Sequence, residues 1–228
     1  MHLPAQSSHF TEIIPHIPQG QVSAQVTKTS IDARKPLSGP AARRERIIVA
    51  ALDLIRQPGG GSVQMREVAE HADVALGTLY RNFPSRMELM AYAYERWREG
   101  CFEKLLSSDA VQGATYVERF TNVTRLDYSF LEQEPSFCEI SVMLSRSSDL
   151  NVAACIRRIR EKSYEIYLRA LEGVDRADAL SVIDIFAAVM EGQASLFATG
   201  RVTGEAAHAA MERCIYMLLV WNIDSMER

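Results

Sequence analysis

A chain of 228 residues holds one sizeable domain, or a small domain joined to a larger one, and 47% apolar against 24% charged residues excludes general disorder. Cys101, Cys138, Cys155 and Cys214 lie too far apart for a CxxC pair, and neither a leader-like start nor an apolar run near the ~20 residues that span a bilayer is present, so a soluble cytoplasmic protein with reduced thiols is expected. The net charge of −4 conceals an uneven distribution: residues 1–42 carry +1, residues 43–86 carry +2 and residues 87–228 carry −7.

Residues 1–42 hold five of the eight prolines among Gln, Ser and Thr, with no sustained period, and read as a flexible arm with a little helix or strand around Phe10 to Ile14. Its basic residues (Lys28, Arg34, Lys35) lead into Arg43, Arg44 and Arg46, so the arm is either a solvated tail or a contact with a DNA backbone or minor groove. From Arg43 the pattern turns helical. Ile47, Ile48, Ala51, Leu52 and Ile55 fall on one face of a first helix, which Gln57-Pro58-Gly59-Gly60-Gly61 stops. A short helix follows at about 64–71, and another at about 75–82 that Phe83-Pro84 interrupts. Ser85 and Glu88 then have capping-box spacing at the head of a long helix reaching about Leu106.

Further helices are expected at about 114–133, from Pro135 to Ser145, at about 150–172, at about 176–198 and from Thr203 to Asp224. Gly113, Gly173 and Gly200 stand at the breaks, and no stretch alternates long enough for a strand. The expected fold is therefore all-α, with a flexible arm at 1–42, a three-helix unit at 43–86 and a larger helical domain at 87–228.

Two short, closely linked helices after a longer one make a helix-turn-helix, whose second helix enters the major groove. Val68, Ala69, Val74, Leu79 and Phe83 are placed to join the core, which turns Ala75, Leu76, Thr78, Tyr80, Arg81 and Asn82 outward. Thr78 suits a phosphate or a thymine methyl, and Tyr80 carries a hydroxyl at phosphate distance. Arg81 or Arg66 suits a guanine edge, and Arg86 the backbone.

The segment from Val63 to Leu89, VQMREVAEHADVALGTLYRNFPSRMEL, closely resembles the DNA-binding segment of the TetR family of bacterial transcriptional regulators. The resemblance rests on Arg66, Val68, Ala69, Gly77, Thr78, Leu79, Tyr80, Phe83, Ser85, Arg86 and Leu89. It implies that Arg66, Thr78, Tyr80 and Arg86 meet DNA, while Leu79 and Phe83 hold the helix in place. Within the family, the segment is most similar to the branch that represses sterol catabolism genes in actinobacteria. Gln64 and Ala75 depart from the pattern, since they stand where a hydroxyl residue often caps each short helix; a lost cap costs about 1 kcal/mol.

A −7 helical domain has two expected tasks. One is homodimerisation: the final helix contains an apolar run from Cys214 to Trp221, and its neighbour carries Leu180, Ile183, Phe186, Ala187, Met190, Ala194 and Phe197. These two helices resemble the pair that forms the family's dimer interface, which gives Phe186, Met190, Phe197, Tyr216 and Leu219 as interface candidates; the alternative is an intramolecular helix pair. The other task is sensing a small-molecule effector. Phe102, Phe120, Phe130, Phe137, Met143 and Tyr164 are candidates to line an apolar pocket or, as ordinary core, to fill the domain. Arg157, Arg158, Arg160 and Lys162 are either a solvated face or partners for an acidic group such as a coenzyme A phosphate.

The expected function is a ligand-responsive regulator of an operator, most simply a repressor released by a hydrophobic or acyl-CoA-type effector. A ligand-independent DNA-binding protein and a helical enzyme are the alternatives. No HExxH, GxxxxGK[ST] or GxSxG is present, so no catalytic residue, metal site or cofactor is expected.

Overall fold

The computed structural model describes residues 39–57 and 59–221, with the backbone alone at Trp221. The arm before residue 39 and the helix end expected at Asp224 lie outside the described residues. Within them the chain is all-α, as expected: α1 (Pro40–Ile55), α2 (Met65–His71), α3 (Leu76–Asn82), α4 (Arg86–Ser107), α5 (Tyr116–Gln133), α6 (Pro135–Ser145), α7 (Leu150–Ala170), α8 (Arg176–Ala198) and α9 (Gly204–Tyr216). Two short 3-10 turns, Gly60–Ser62 and Asp109–Val111, join α1 to α2 and α4 to α5.

The apolar period explains α1, because Ile47, Ala51 and Ile55 are fully buried at helical spacing. After Ile55 the chain folds back on itself so closely that a Cβ on Gly60 would lie 2.0 Å from the Ile55 carbonyl oxygen, and only glycine fits there. Helix α2 is capped from within: Glu67 Oε2 accepts the Gln64 amide N–H at 2.8 Å, which offsets the absent hydroxyl residue. The turn into α3 puts Asp73 at φ +51, a conformation that short polar side chains tolerate. It is closed by the Val74 N–H donating to the Ala69 carbonyl at 3.0 Å. No side chain caps α3, whose N-cap is Ala75.

Ser85 caps α4 as expected, its Oγ accepting the Glu88 N–H at 3.1 Å. The return bond from the Glu88 carboxylate is absent among the described residues, and Glu88 is buried against the core instead. A complete capping box occurs at α5, where Glu118 N–H donates to Thr115 Oγ1 at 3.1 Å and Thr115 N–H to Glu118 Oε2 at 3.4 Å. Asp149, Asp175 and Thr203 cap α7, α8 and α9.

Helix α4 is the spine of the molecule. It packs against α1 on the headpiece side and against α5, α6 and α7 on the other. Leu89, Met90, Ala91 and Ala93 are fully buried along it, and the Trp97 ring stacks flat on Phe137 of α6 with centroids 4.5 Å apart. Helix α8 packs against α6, α7 and α9, and α9 ends in one π-helical turn, Met217–Trp221. By length and composition α8 is apolar enough to cross a membrane, because it is apolar on two faces. One face, with Val182, Ile183, Phe186 and Ala194, is buried in this core, and the other is exposed.

Candidate nucleic-acid interface and helical domain

Helix α3 is seven residues long and depends on its anchors, since so short a helix is not stable alone. Leu79 and Phe83 are fully buried, and α2 supplies Val68 and Ala69 beneath them. Arg44 of α1 locks the far end. Its Nη1 donates to the Asn82 carbonyl at 2.6 Å, and its guanidinium lies 4.1 Å from the Phe83 ring centroid and 4.3 Å from that of Tyr92. Nothing in the sequence distinguishes Arg44 from the neighbouring arginines; the contact spans 38 residues and appears only in the fold.

The outer face of α3 is bare. Ala75, Leu76, Gly77, Tyr80 and Arg81 are exposed, and Thr78 is half-buried. Arg81 Nη2 donates to Thr78 Oγ1 at 2.9 Å, joining two of the expected contact residues in one polar pair. Arg66 pairs with Glu70 at 3.0 Å on an exposed surface, where such a pair is worth little and is readily exchanged for a phosphate.

Arg86 is placed differently from the sequence expectation. Its guanidinium turns inward, Nε donating to the Val63 carbonyl at 2.7 Å and Nη2 to the Gly61 carbonyl at 2.5 Å, with Met143 Sδ 3.7 Å from Nη1. It ties the loop before α2 to the start of α4 and to α6. Replacing Arg86 by alanine is expected to cost about 2 kcal/mol, the scale of charge-assisted hydrogen bonds at a half-buried site. Urea unfolding monitored by far-UV circular dichroism checks this, and a loss below 0.5 kcal/mol, on the order of an exposed surface change, contradicts it.

The six candidate pocket residues divide between the core and the surface. Phe102, Phe120, Phe130 and Phe137 are buried core. Phe120 meets Tyr167 and Phe186 at centroid distances of 5.3 and 5.1 Å, and Phe137 is covered by Trp97. Met143 faces Arg86 at the headpiece. Tyr164 is at the surface, where its hydroxyl contacts Arg160 and Asp184 and helps line a groove of about 320 Å³ between α7 and α8 with Arg157, Leu168, Arg176 and Leu180. The basic run on α7 is largely committed: Arg158 holds Glu95 through two bonds of 2.6 Å, Lys162 reaches Glu99 at 3.3 Å, and Arg160 reaches Asp184 at 2.5 Å.

At the centre of the domain lies a polar cluster that periodicity does not reveal. Arg98 of α4, 4% exposed, donates to both carboxylate oxygens of Asp127 of α5 at 2.7 and 3.2 Å. Tyr167 of α7 donates to Asp127 Oδ2 at 2.9 Å. Burial alone would make the Arg98 guanidinium easier to deprotonate, but the Asp127 charge and hydrogen bonds outweigh it and raise its pKa. Burial, and then the Asp127 charge, hold the Tyr167 phenol well above its ordinary value, while burial pushes Tyr94 up to about 12. Glu134, at the N-cap of α6, links the end of α1 to α4: it accepts from Arg56 Nε at 3.1 Å and from Trp97 Nε1 at 2.8 Å.

Of the dimer candidates, Phe186 and Leu219 are core residues of their own chain, 2% and 1% exposed. Met190 and Phe197 are half-buried and pack on that core, leaving Tyr216 as the exposed one. The exposed apolar face of α8 lies further round the helix and comprises Ile185, Ala188 and Gly192, with half-exposed Val189 and Leu196. Tyr216 and Met217 are the exposed apolar residues at the end of α9. The thiols are as quiet as expected: burial pushes Cys138 and Cys155 to about 11 and Cys101 to about 12. No cluster of potential metal ligands occurs among the described residues.

A short helix pinned by two buried side chains, bare on its outer face and carried on a larger helical domain, defines a helix-turn-helix transcriptional regulator. Residues 47–93 match the family of bacterial regulatory proteins, tetR family. The HTH-type transcriptional repressor KstR of Rhodococcus jostii (strain RHA1) is 29% identical over 179 residues, 78% of this chain and 82% of the relative, so the likeness runs well beyond the headpiece. KstR of Mycobacterium tuberculosis is 30% identical over 64% of this chain and 67% of its own length. The solved structure of the transcriptional regulator FadR from Bacillus subtilis in complex with stearoyl-CoA has the same fold, with a TM-score of 0.58 and 19% identity across 77% of this chain and 95% of that one. The chain belongs to the TetR family, is related to KstR, and is a regulator rather than an enzyme.

Proposed function

We propose that the chain is a cytoplasmic, homodimeric repressor that grips a near-palindromic operator and is released by an apolar, acyl-CoA-type effector. The observation that carries this reading is the contrast across α3: Leu79 and Phe83 are fully buried, while Leu76 and Tyr80 on the opposite side are 41% and 46% exposed. In this reading Arg66, Ala75, Leu76, Thr78, Tyr80 and Arg81 form the DNA surface, and Arg86 supports it from behind. Residues 43–86 serve as the headpiece and residues 87–228 as the effector and dimer domain, with α4 shared by both. The exposed faces of α8 and α9 pair two copies, setting two α3 helices about 34–36 Å apart for successive major grooves. Kinship with KstR supports repression, and the stearoyl-CoA complex of FadR supports the effector class.

The test is selection of duplexes from a random library by the full chain at moderate salt, followed by titration of the enriched sequence with stearoyl-CoA, stearic acid and coenzyme A. A near-palindromic duplex and release by the thioester are expected. No enriched sequence would sink the operator reading, and a complex indifferent to all three molecules would sink the acyl-CoA one.

A further inference from the structure

Gly77 is the second residue of α3 and is exposed, yet its chain gives no reason for a glycine there. It does not adopt a positive φ, and a Cβ added to it would meet nothing within 4 Å. A helical glycine is disfavoured relative to alanine, so a position that neither conformation nor internal packing requires points to close approach by something outside the chain. Ala75 and Leu76 stand immediately before it, both exposed, and Leu76 is a large apolar side chain that is 41% exposed. The nearest charged groups do not lie at this end of α3: Arg81, paired with Thr78, is in its last turn, and Arg66, paired with Glu70, is on α2. The start of α3 is thus an uncharged apolar edge with a gap in its middle.

In the major groove, the apolar feature of a base edge is the thymine 5-methyl group. We infer that Ala75, Leu76 and Gly77 form a thymine-reading edge: Leu76 covers a 5-methyl in each half-site, and Gly77 lets the duplex come against the helix backbone. This rests on the operator-binding reading and gives it a base preference that arginine-to-guanine contacts do not.

The experiment uses the full chain and the duplex enriched from the random library, with each thymine replaced singly by deoxyuridine, which removes only the methyl. At one thymine position in each half-site, the single replacement is expected to weaken binding about fourfold, the value of one buried methyl-sized group. That penalty disappears in Leu76→Ala. Gly77→Ala is expected to raise the unfolding midpoint by about 1–3 °C while weakening operator binding about tenfold, as overpacking does. Gly100→Ala is the control. Gly100 also lies within a helix with open space at its Cβ, but near the far end of α4, so it gains stability with operator binding unchanged. Binding indifferent to every deoxyuridine, or Gly77→Ala that binds as the parent does, overturns the inference while operator binding itself stands. Failure to enrich any duplex overturns the operator-binding reading instead.

Discussion

Replacing Asp127 by alanine is expected to destabilise the protein by about 3–5 kcal/mol, a large part of the 5–15 kcal/mol that holds a typical domain together. The carboxylate is 1% exposed and takes three hydrogen bonds, two from Arg98 and one from Tyr167. Its removal strands a guanidinium that is 4% exposed, with the Phe102 ring centroid 4.5 Å away. Replacing the whole group should be far milder. In the triple variant Arg98→Met, Asp127→Leu, Tyr167→Phe no member of the Arg98–Asp127 ion pair is left buried without its partner, and exchanges of this type often come out neutral or stabilising. Urea unfolding of both variants checks the contrast. A single variant as stable as the parent would show that the pair is already solvated, and a triple variant as weak as the single one would show that packing, not charge, is at stake. Because the cluster ties α4 to α5 and α7, the triple variant also asks whether a fixed register of α4 matters to operator release. If it does, the variant keeps its stability and needs a different stearoyl-CoA concentration for half-release.

What the sequence made legible follows from how local each signal is. Helix ends were readable at Pro135, at Ser85 and at the glycines after α7 and α8, because caps and breakers act within one turn. The box at Thr115 and Glu118 was equally local, and only the nominal helix start at Ala114 concealed it. The anchors Leu79 and Phe83 were legible from spacing, since a seven-residue helix has few ways to bury two large side chains. Long side chains were not. Arg44, Arg86 and Arg98 look alike in sequence, yet one locks α3, one ties a loop and one neutralises a buried carboxylate, each through partners at least 23 residues away. Helix α8 defeated periodicity for another reason. Both of its faces are apolar, so pattern alone cannot say which one the chain covers, and Phe186, an interface candidate by pattern, lies in the core of its own chain.

The face that the core leaves open gives the second large prediction. From Ile185, residues Ala188, Val189, Gly192 and Leu196 follow at offsets of 3, 4, 7 and 11, a continuous stripe along α8. Ile185 is 52% exposed, and at the end of α9 Tyr216 and Met217 are 54% and 57% exposed. Clustered apolar surface of this kind marks an interface more often than scattered leucines do. Gly192 stands within the stripe with nothing within 4 Å of an added Cβ, so a second helix has room to approach its backbone. The double variant Ile185→Arg, Val189→Arg puts four like charges into a symmetric pair of stripes without touching the buried side of α8. It is expected to sediment as a folded monomer at concentrations where the parent is a dimer, with its helical circular dichroism unchanged. Operator affinity is expected to fall on the order of 10³-fold, since a monomer engages one half-site at a time and loses the effective concentration of the second. Glu191→Arg, exposed on the same helix but turned away from the stripe, should leave both properties intact. A double variant that remains dimeric would place the interface elsewhere. A monomer that still binds the operator at full strength would show that pairing on DNA does not depend on this face.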